Sequence, residues 1–185
     1  MKLVVGLGNP GARYKNTRHN AGFMALDSFL RQRGLAISGG KFQSPFLSTH
    51  LLGQGVAFIK PALYMNLSGG PVKQAVNSMG IGIEDLLVMH DDIDIALGEA
   101  RYKTGGGHGG HNGLKSIIAE LGDAGFNRIR IGVSRPPEGV QASDYVLDEV
   151  SRDEMDALAG AFEKAFDFLE KRFLAEPNLG NAASI

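Results

Sequence analysis

Short runs of aliphatic and β-branched residues alternate with helix-length segments along most of this 185-residue chain, and that alternation leaves few architectures open. Residues 2–7 read as a strand that stops at Gly8-Asn9-Pro10-Gly11, where glycine and proline favour a turn. Asn20 stands where a helix running to about Arg33 needs a cap, and Gly34 where it needs a stop. Residues 46–52 and 56–60 flank Gly53-Gln54-Gly55 and predict a hairpin. A helix opens at Ser68 or Gly70, with Pro71 in its first turn, and runs to about Met79. Residues 86–89 predict a buried strand and residues 99–103 another. A helix follows from His111 or Asn112 to about Leu121, then a strand over 129–133 and a short one over 145–147. The last helix opens on Ser151 with Glu154 three residues on, the reciprocal capping pair. Along it Met155, Leu158, Phe162, Phe166, Leu169 and Phe173 form an apolar stripe that predicts core packing. These elements imply an α/β fold: a three-layer sandwich of helices flanking a mixed, largely parallel twisted sheet, the hairpin making it mixed. No internal repeat or linker interrupts residues 1–185, so they read as a single domain with a frayed tail after about residue 177.

Composition removes several chemistries. There is no cysteine, so disulfides, thiolate metal sites and a cysteine nucleophile are excluded. The first ten residues hold one lysine and a short apolar run broken at Gly6, unlike a secretory signal. No run approaches the ~18 apolar residues of a membrane helix. The expectation is a cytoplasmic protein with no membrane partner. Net charge is −1, but residues 101–135 hold six Lys and Arg against two Asp and Glu, while residues 136–185 hold four against eleven. A basic middle and an acidic tail can set up a local field for a polyanion; ordinary surface charge gives the same count.

Four motifs carry possible chemistry. Gly6-Leu7-Gly8-Asn9-Pro10-Gly11 fits G-x-G-x-x-G after a strand. A dinucleotide site needs the helix to open at once, and here Pro10 and a polar run intervene. The glycines read instead as a sharp turn that presents Asn9. In Thr17-Arg18-His19-Asn20, a histidine near a helix N-terminus has its cation disfavoured, which suits a general base; a capping histidine looks the same. His90-Asp91-Asp92-Ile93-Asp94 follows a buried strand, and strand C-terminal ends are where α/β sites gather. A carboxylate partner for a histidine, a hard-metal site and plain turn chemistry all fit it. Gly105-Gly106-Gly107-His108-Gly109-Gly110-His111-Asn112-Gly113 offers backbone N–H groups for an anion, or a pair of histidines for a metal. Ser68 lacks the G-x-S-x-G setting of a nucleophile, because Asn66 stands where glycine is needed. A histidine-activated water with amide side chains is the more economical chemistry.

Taken together, and in this order, the segments resemble the bacterial-type peptidyl-tRNA hydrolase family. The matching pieces are residues 5–11; Tyr14 with residues 17–22; Lys60-Pro61 with residues 64–69; residues 90–94; Lys103 through Lys115; and residues 128–132. The resemblance implies a monomeric, metal-independent α/β hydrolase that needs no cofactor and takes peptidyl-tRNA as substrate. It makes His19 the catalytic base and Asp91 its orienting partner. It sets Asn9, Asn66 and Asn112 around the peptide and terminal ribose, Tyr14 and Met65 at the cleft floor, and His111 on a mobile gate. It assigns Lys103 and Arg130 to the tRNA 5′-phosphate. Segment 136–150 resembles a lid and departs most from the family pattern.

Overall fold

The computed structural model describes residues 1–175, so the fraying expected after residue 177 lies outside the described residues. Seven strands form one sheet: β1 (Lys2–Gly6), β2 (Gly39–Lys41), β3 (Ser44–Leu51), β4 (Gln54–Ile59), β5 (Leu86–Asp92), β6 (Ala100–Thr104) and β7 (Asn127–Gly132). Their order is β2-β3-β4-β1-β5-β7-β6. The central run β4-β1-β5-β7 is parallel, and β2, β3 and β6 attach antiparallel at the edges. The mixed, largely parallel sheet expected from the sequence is therefore present.

Alternation along the strands builds two cores. Val4, Phe58, Leu87, Met89, Ile129 and Ile131 face one side, against α1 (Ala21–Gln32) and a long C-terminal helix, Arg152–Phe168, with a π-type extension over Leu169–Leu174. Leu3, Val5, Ala57, Ile59, Leu86 and Val88 face the other, against α2 (Gly69–Met79) and α3 (Asn112–Leu121). This is the period-2 signature of strands buried on both faces. The Ser151–Glu154 capping box forms as expected, and the stripe buries Leu158, Phe162, Phe166, Leu169 and Phe173; Met155 is half-buried.

The structure corrects several local expectations. Residues 145–147 are not a strand but the end of a short helix, α4 (Ala142–Leu147), so the C-terminal helix is α5. A strand there would need a sheet edge, and Arg18 lies over the Tyr145 ring instead, at 4.2 Å. Residues 39–41 form an edge strand; Gly39-Gly40 has no side chains to signal one. The β3–β4 turn is Leu52-Gly53, both at positive φ (50° and 79°), the two-residue form whose twist suits a hairpin. Asn20 does not cap α1 with its side chain. Its Oδ1 accepts from the Asn9 N–H (2.8 Å) and its Nδ2 donates to the Asn9 carbonyl (3.0 Å).

The glycines of the first motif serve close packing more than turning. Only Gly11 takes a positive φ, 101°. A Cβ on Gly6 would lie 2.8 Å from the Gly22 carbonyl oxygen, and one on Gly8 would enter the Phe23 ring. Gly22 is the tightest point: its Cβ would lie 2.3 Å from the Met89 oxygen and 2.6 Å from the Leu7 nitrogen. Helix α1 thus crosses β1 and β5 backbone to backbone, which fixes where His19, three residues earlier, meets the end of β5. Gly22→Ala is expected to cost at least ~1–3 kcal/mol, the usual range for overpacking, read as a lower urea midpoint at unchanged m-value. An unchanged midpoint would show that the helix can lift off the sheet without penalty.

Candidate active site

His19 sits on a 3₁₀ turn, Arg18–Asn20, that runs directly into α1. Asp91 ends β5, where the sheet gives way to a loop. The two are 8 % and 3 % exposed. His19 Nδ1 lies 2.9 and 3.0 Å from the two Asp91 carboxylate oxygens. An N–H at Nδ1 donating to that carboxylate leaves the Nε2 lone pair for a proton. Burial disfavours the imidazolium, but the charge of Asp91 and its hydrogen bond outweigh burial and hold the His19 pKa above the ordinary imidazole value. Burial alone would raise Asp91; the charges of His19 and His111 and their hydrogen bonds hold its carboxyl well below the usual carboxylate range.

Asp91 has a second histidine. His111 Nε2 donates to Asp91 Oδ1 at 2.9 Å, while its Nδ1 accepts the N–H groups of Gly113 (3.1 Å) and Leu114 (3.4 Å). His111 therefore caps α3 with one ring nitrogen and holds the carboxylate with the other, which fixes its tautomer. The His19 and His111 ring centroids are 4.8 Å apart. His90 packs edge-on against His111 at 5.0 Å and donates from Nδ1 to the Asp91 carbonyl at 2.7 Å. Burial, then the neighbouring His111, push the His90 pKa down to about 3, so it stays neutral.

A cleft of about 380 Å³ gathers His19, Asp91, Lys103, His111, Asn112 and Arg130, with Ala142, Ser143 and Val146 of α4 on one wall. Other residues expected at the site are not on the walls of this cleft. Asn9 is on the wall of a neighbouring cavity of about 640 Å³, with Oδ1 accepting the Met65 N–H at 2.7 Å. Met65 is buried beneath Gly113, the second residue of α3. Tyr14 is half-buried and meets the exposed Tyr64 edge to face, and Asn66 is exposed on the turn Met65–Leu67. Ser68 is buried and donates to the Met65 carbonyl, which gives it no setting as a nucleophile.

The carboxylates of residues 90–94 and the histidines of the glycine loop do not assemble as one metal site: Asp94 pairs with Arg135, and His108 Nδ1 accepts from Gly110. Among the described residues, His19, Asp91 and His111 are the group with donor atoms close enough for an ion, all within 4.8 Å. Two nitrogens of that set already share the carboxylate through hydrogen bonds, so an ion would have to displace those protons.

Two arginines escaped the sequence reading. Arg18, beside His19, ties α4 down: Nη1 donates to the Tyr145 carbonyl (3.2 Å) and Nη2 to Glu154 (2.7 Å). Arg128 is buried behind the glycine loop, its guanidinium on backbone carbonyls. A signal existed for the second. Arg128 and Arg130 are two apart in one strand and so share a face.

The chain resembles known proteins along its whole length. A model of the peptidyl-tRNA hydrolase family matches residues 3–183. A Geobacter sulfurreducens protein named peptidyl-tRNA hydrolase is 45 % identical over 174 residues, covering 94 % of this chain and 90 % of its own. One of the same name from Exiguobacterium sibiricum is 41 % identical over 185 residues, covering 98 % and 100 %. The crystal structure of peptidyl-tRNA hydrolase from Acinetobacter baumannii is 35 % identical, with a TM-score of 0.87 over 94 % of this chain and 89 % of that one.

Proposed function

The chain belongs to the peptidyl-tRNA hydrolase family, and we propose that it cleaves the ester between a peptide, or an N-blocked amino acid, and the 3′-terminal ribose of tRNA by means of a water activated by His19. The observation that carries the mechanism is the pairing of His19 Nδ1 with the buried Asp91 carboxylate. That pairing keeps the proton on Nδ1 and the lone pair on Nε2, and it stabilises the imidazolium once formed, the logic of a serine–histidine–aspartate triad with water in place of serine.

The reaction is acyl transfer to water. As the water oxygen bonds to the ester carbonyl carbon, its proton passes to His19 Nε2. An asparagine amide donates to the developing oxyanion; Asn112 lines the His19 cleft, and Asn9 offers a rigid amide whose Oδ1 is already engaged by Met65. Collapse expels the ribose 3′ oxygen, which takes the proton back from His19. The products are tRNA with a free hydroxyl and a peptide carboxylic acid, which loses its remaining proton to solvent. Tyr14, Met65 and Asn66 would flank the peptide through its backbone, so little side-chain selectivity is needed. The activity returns tRNA from abortive translation, in the cytoplasm and as a monomer.

One experiment tests the reading. Purified protein is given an N-acetylated aminoacyl-tRNA and the same tRNA unacetylated, with and without exhaustive chelation. The expected outcome is ester cleavage of the acetylated substrate in preference to the other, unaffected by chelator. A rate abolished by chelator and restored by one divalent ion would instead make His19, Asp91 and His111 metal ligands.

For the tRNA, Lys103 and Arg130 lie on the same cleft as His19, and we assign them to the 5′-phosphate. Lys103→Ala should weaken the full tRNA substrate and reduce its salt dependence by about one unit of log–log slope. It should cost a short esterified fragment without that phosphate far less. Equal losses on both substrates would remove the assignment.

A further inference from the structure

The β6–β7 register sets Lys103 directly opposite Arg128, with Arg101 opposite Arg130. Residues two apart on a strand share a face, so four cations stand on one side of this ribbon. Like charges directly across an antiparallel pair are unfavourable. Arg130 meets a carboxylate, Asp92, at 2.7 Å. Arg128 does not. It is 2 % exposed, and its hydrogen bonds among the described residues go to the carbonyls of Gly107 (2.6 Å), Gly106 and Ala124 (3.2 Å). Its buried Nε has no partner among the described residues. A buried guanidinium without a carboxylate is costly. A strand that needed only to be covered would carry an apolar side chain there.

What Arg128 fixes is the orientation of two successive peptide units. The peptides are trans, and in a planar trans peptide a carbonyl turned one way sends the next N–H the other way. With the Gly106 and Gly107 carbonyls on Arg128, the N–H groups of Gly107 and His108 point away from it. Neither finds an acceptor among the described residues. Successive free N–H groups make an anion-binding concavity. The Lys103 ammonium lies against the same loop: a Cβ on Gly106, which has φ +104°, would be 2.6 Å from Nζ. Lys103, Gly107 and His108 all line the cleft.

We infer that Arg128 is a positioning residue: by holding the carbonyls of Gly106 and Gly107, it aims the N–H groups of Gly107 and His108, beside Lys103, at a phosphate group of the bound tRNA. The identity of the anion's carrier rests on the proposed function. The test follows the Gly107 and His108 amide resonances in the ¹⁵N-labelled protein during titration with inorganic phosphate, then with a 5′-phosphorylated acceptor-stem minihelix. Wild type is compared with Arg128→Lys, which keeps the charge but lacks the rigid planar fork whose two nitrogens each hold one of these carbonyls. Both amides should shift saturably in wild type and not in the variant. The variant's KM for N-acetylaminoacyl-tRNA should rise ~10-fold, the scale of losing charge-assisted hydrogen bonds, with the loss in KM rather than kcat.

Amides that stay fixed while the minihelix binds, or that shift equally in Arg128→Lys, would overturn the inference. Should Arg128→Lys fail to fold, Gly107→Pro on the exposed loop deletes one donor while the Arg128 guanidinium is kept. Undiminished phosphate affinity in that variant would also overturn the inference. A minihelix that does not bind wild type, while phosphate still shifts both amides, would count against the tRNA reading and leave the anion site standing.

Discussion

His19→Ala protein is expected to fold and bind tRNA nearly as wild type does, and to lose at least ~10² in turnover of an N-acetylaminoacyl-tRNA, the lower end for removing a general base. Folding should survive because the imidazole is packed at the edge of the cleft, while α1 is held by backbone contact at Gly22 and by Leu26, Phe29 and Leu30 in the core. Binding should survive because the cationic face of β6 and β7 does not involve His19. The loss should therefore fall on kcat, as for an interaction made in the transition state. Circular dichroism, tRNA affinity and single-turnover cleavage on one preparation separate these terms. Folded His19→Ala protein that turns over near the wild-type rate would end the mechanism, whatever family the chain belongs to.

Asp91→Asn is expected to have the next largest effect, smaller than loss of the base itself. Asp91 Oδ1 accepts from both His19 and His111, and Oδ2 also faces His19 Nδ1. An amide has one acceptor oxygen and a donor NH₂, so it cannot reproduce that pattern. With the oxygen kept between the two histidines, the NH₂ faces His19 Nδ1 and favours the tautomer whose lone pair is on the wrong nitrogen. A minority of correctly oriented imidazoles still acts, so activity falls without vanishing. The α3 cap is linked to the same side chain, because His111 accepts the Gly113 and Leu114 N–H groups on Nδ1 while its Nε2 donates to Asp91. Kinetics on an N-acetylated substrate, with a thermal melt beside them, give both readings. Wild-type kcat in Asp91→Asn would show that the carboxylate does not orient the base.

The sequence carried the architecture because its signals were local and redundant. The 151–154 capping box, the stripe of α5 and the β-branched runs of the central strands each predict an element from neighbouring residues. Where a residue's partner is distant, local signals failed. Asn20 has the chemistry of a cap, but the backbone of Asn9 competes for its amide. Residues 142–147 take their helical form against Arg18, far back in the chain. His19 and Asp91 were legible through family resemblance, and Asp91 also through its place at a strand end. The sharing of Asp91 between two histidines was not, since nothing in the spacing of residues 91 and 111 says that both ring nitrogens of His111 are used. Arg128 shares a strand face with Arg130, which the spacing shows, but its place opposite Lys103 follows only from the β6–β7 register.

The most direct test of the claim that neutral His19 activates water is the pH dependence of kcat/KM for wild type and Asp91→Asn on one N-acetylaminoacyl-tRNA. Only neutral His19 can take the proton, so the rate should fall as pH drops through the His19 pKa. With Asp91 present that pKa stands above the ordinary imidazole value, and the acidic limb should begin correspondingly high. Replacing the carboxylate by an amide removes the group that stabilises the cation and leaves burial, which opposes it. The limb should therefore move to lower pH in Asp91→Asn. A wild-type profile with no acidic limb above the carboxylate range, or a limb that stays in place when Asp91 is neutralised, would contradict the account.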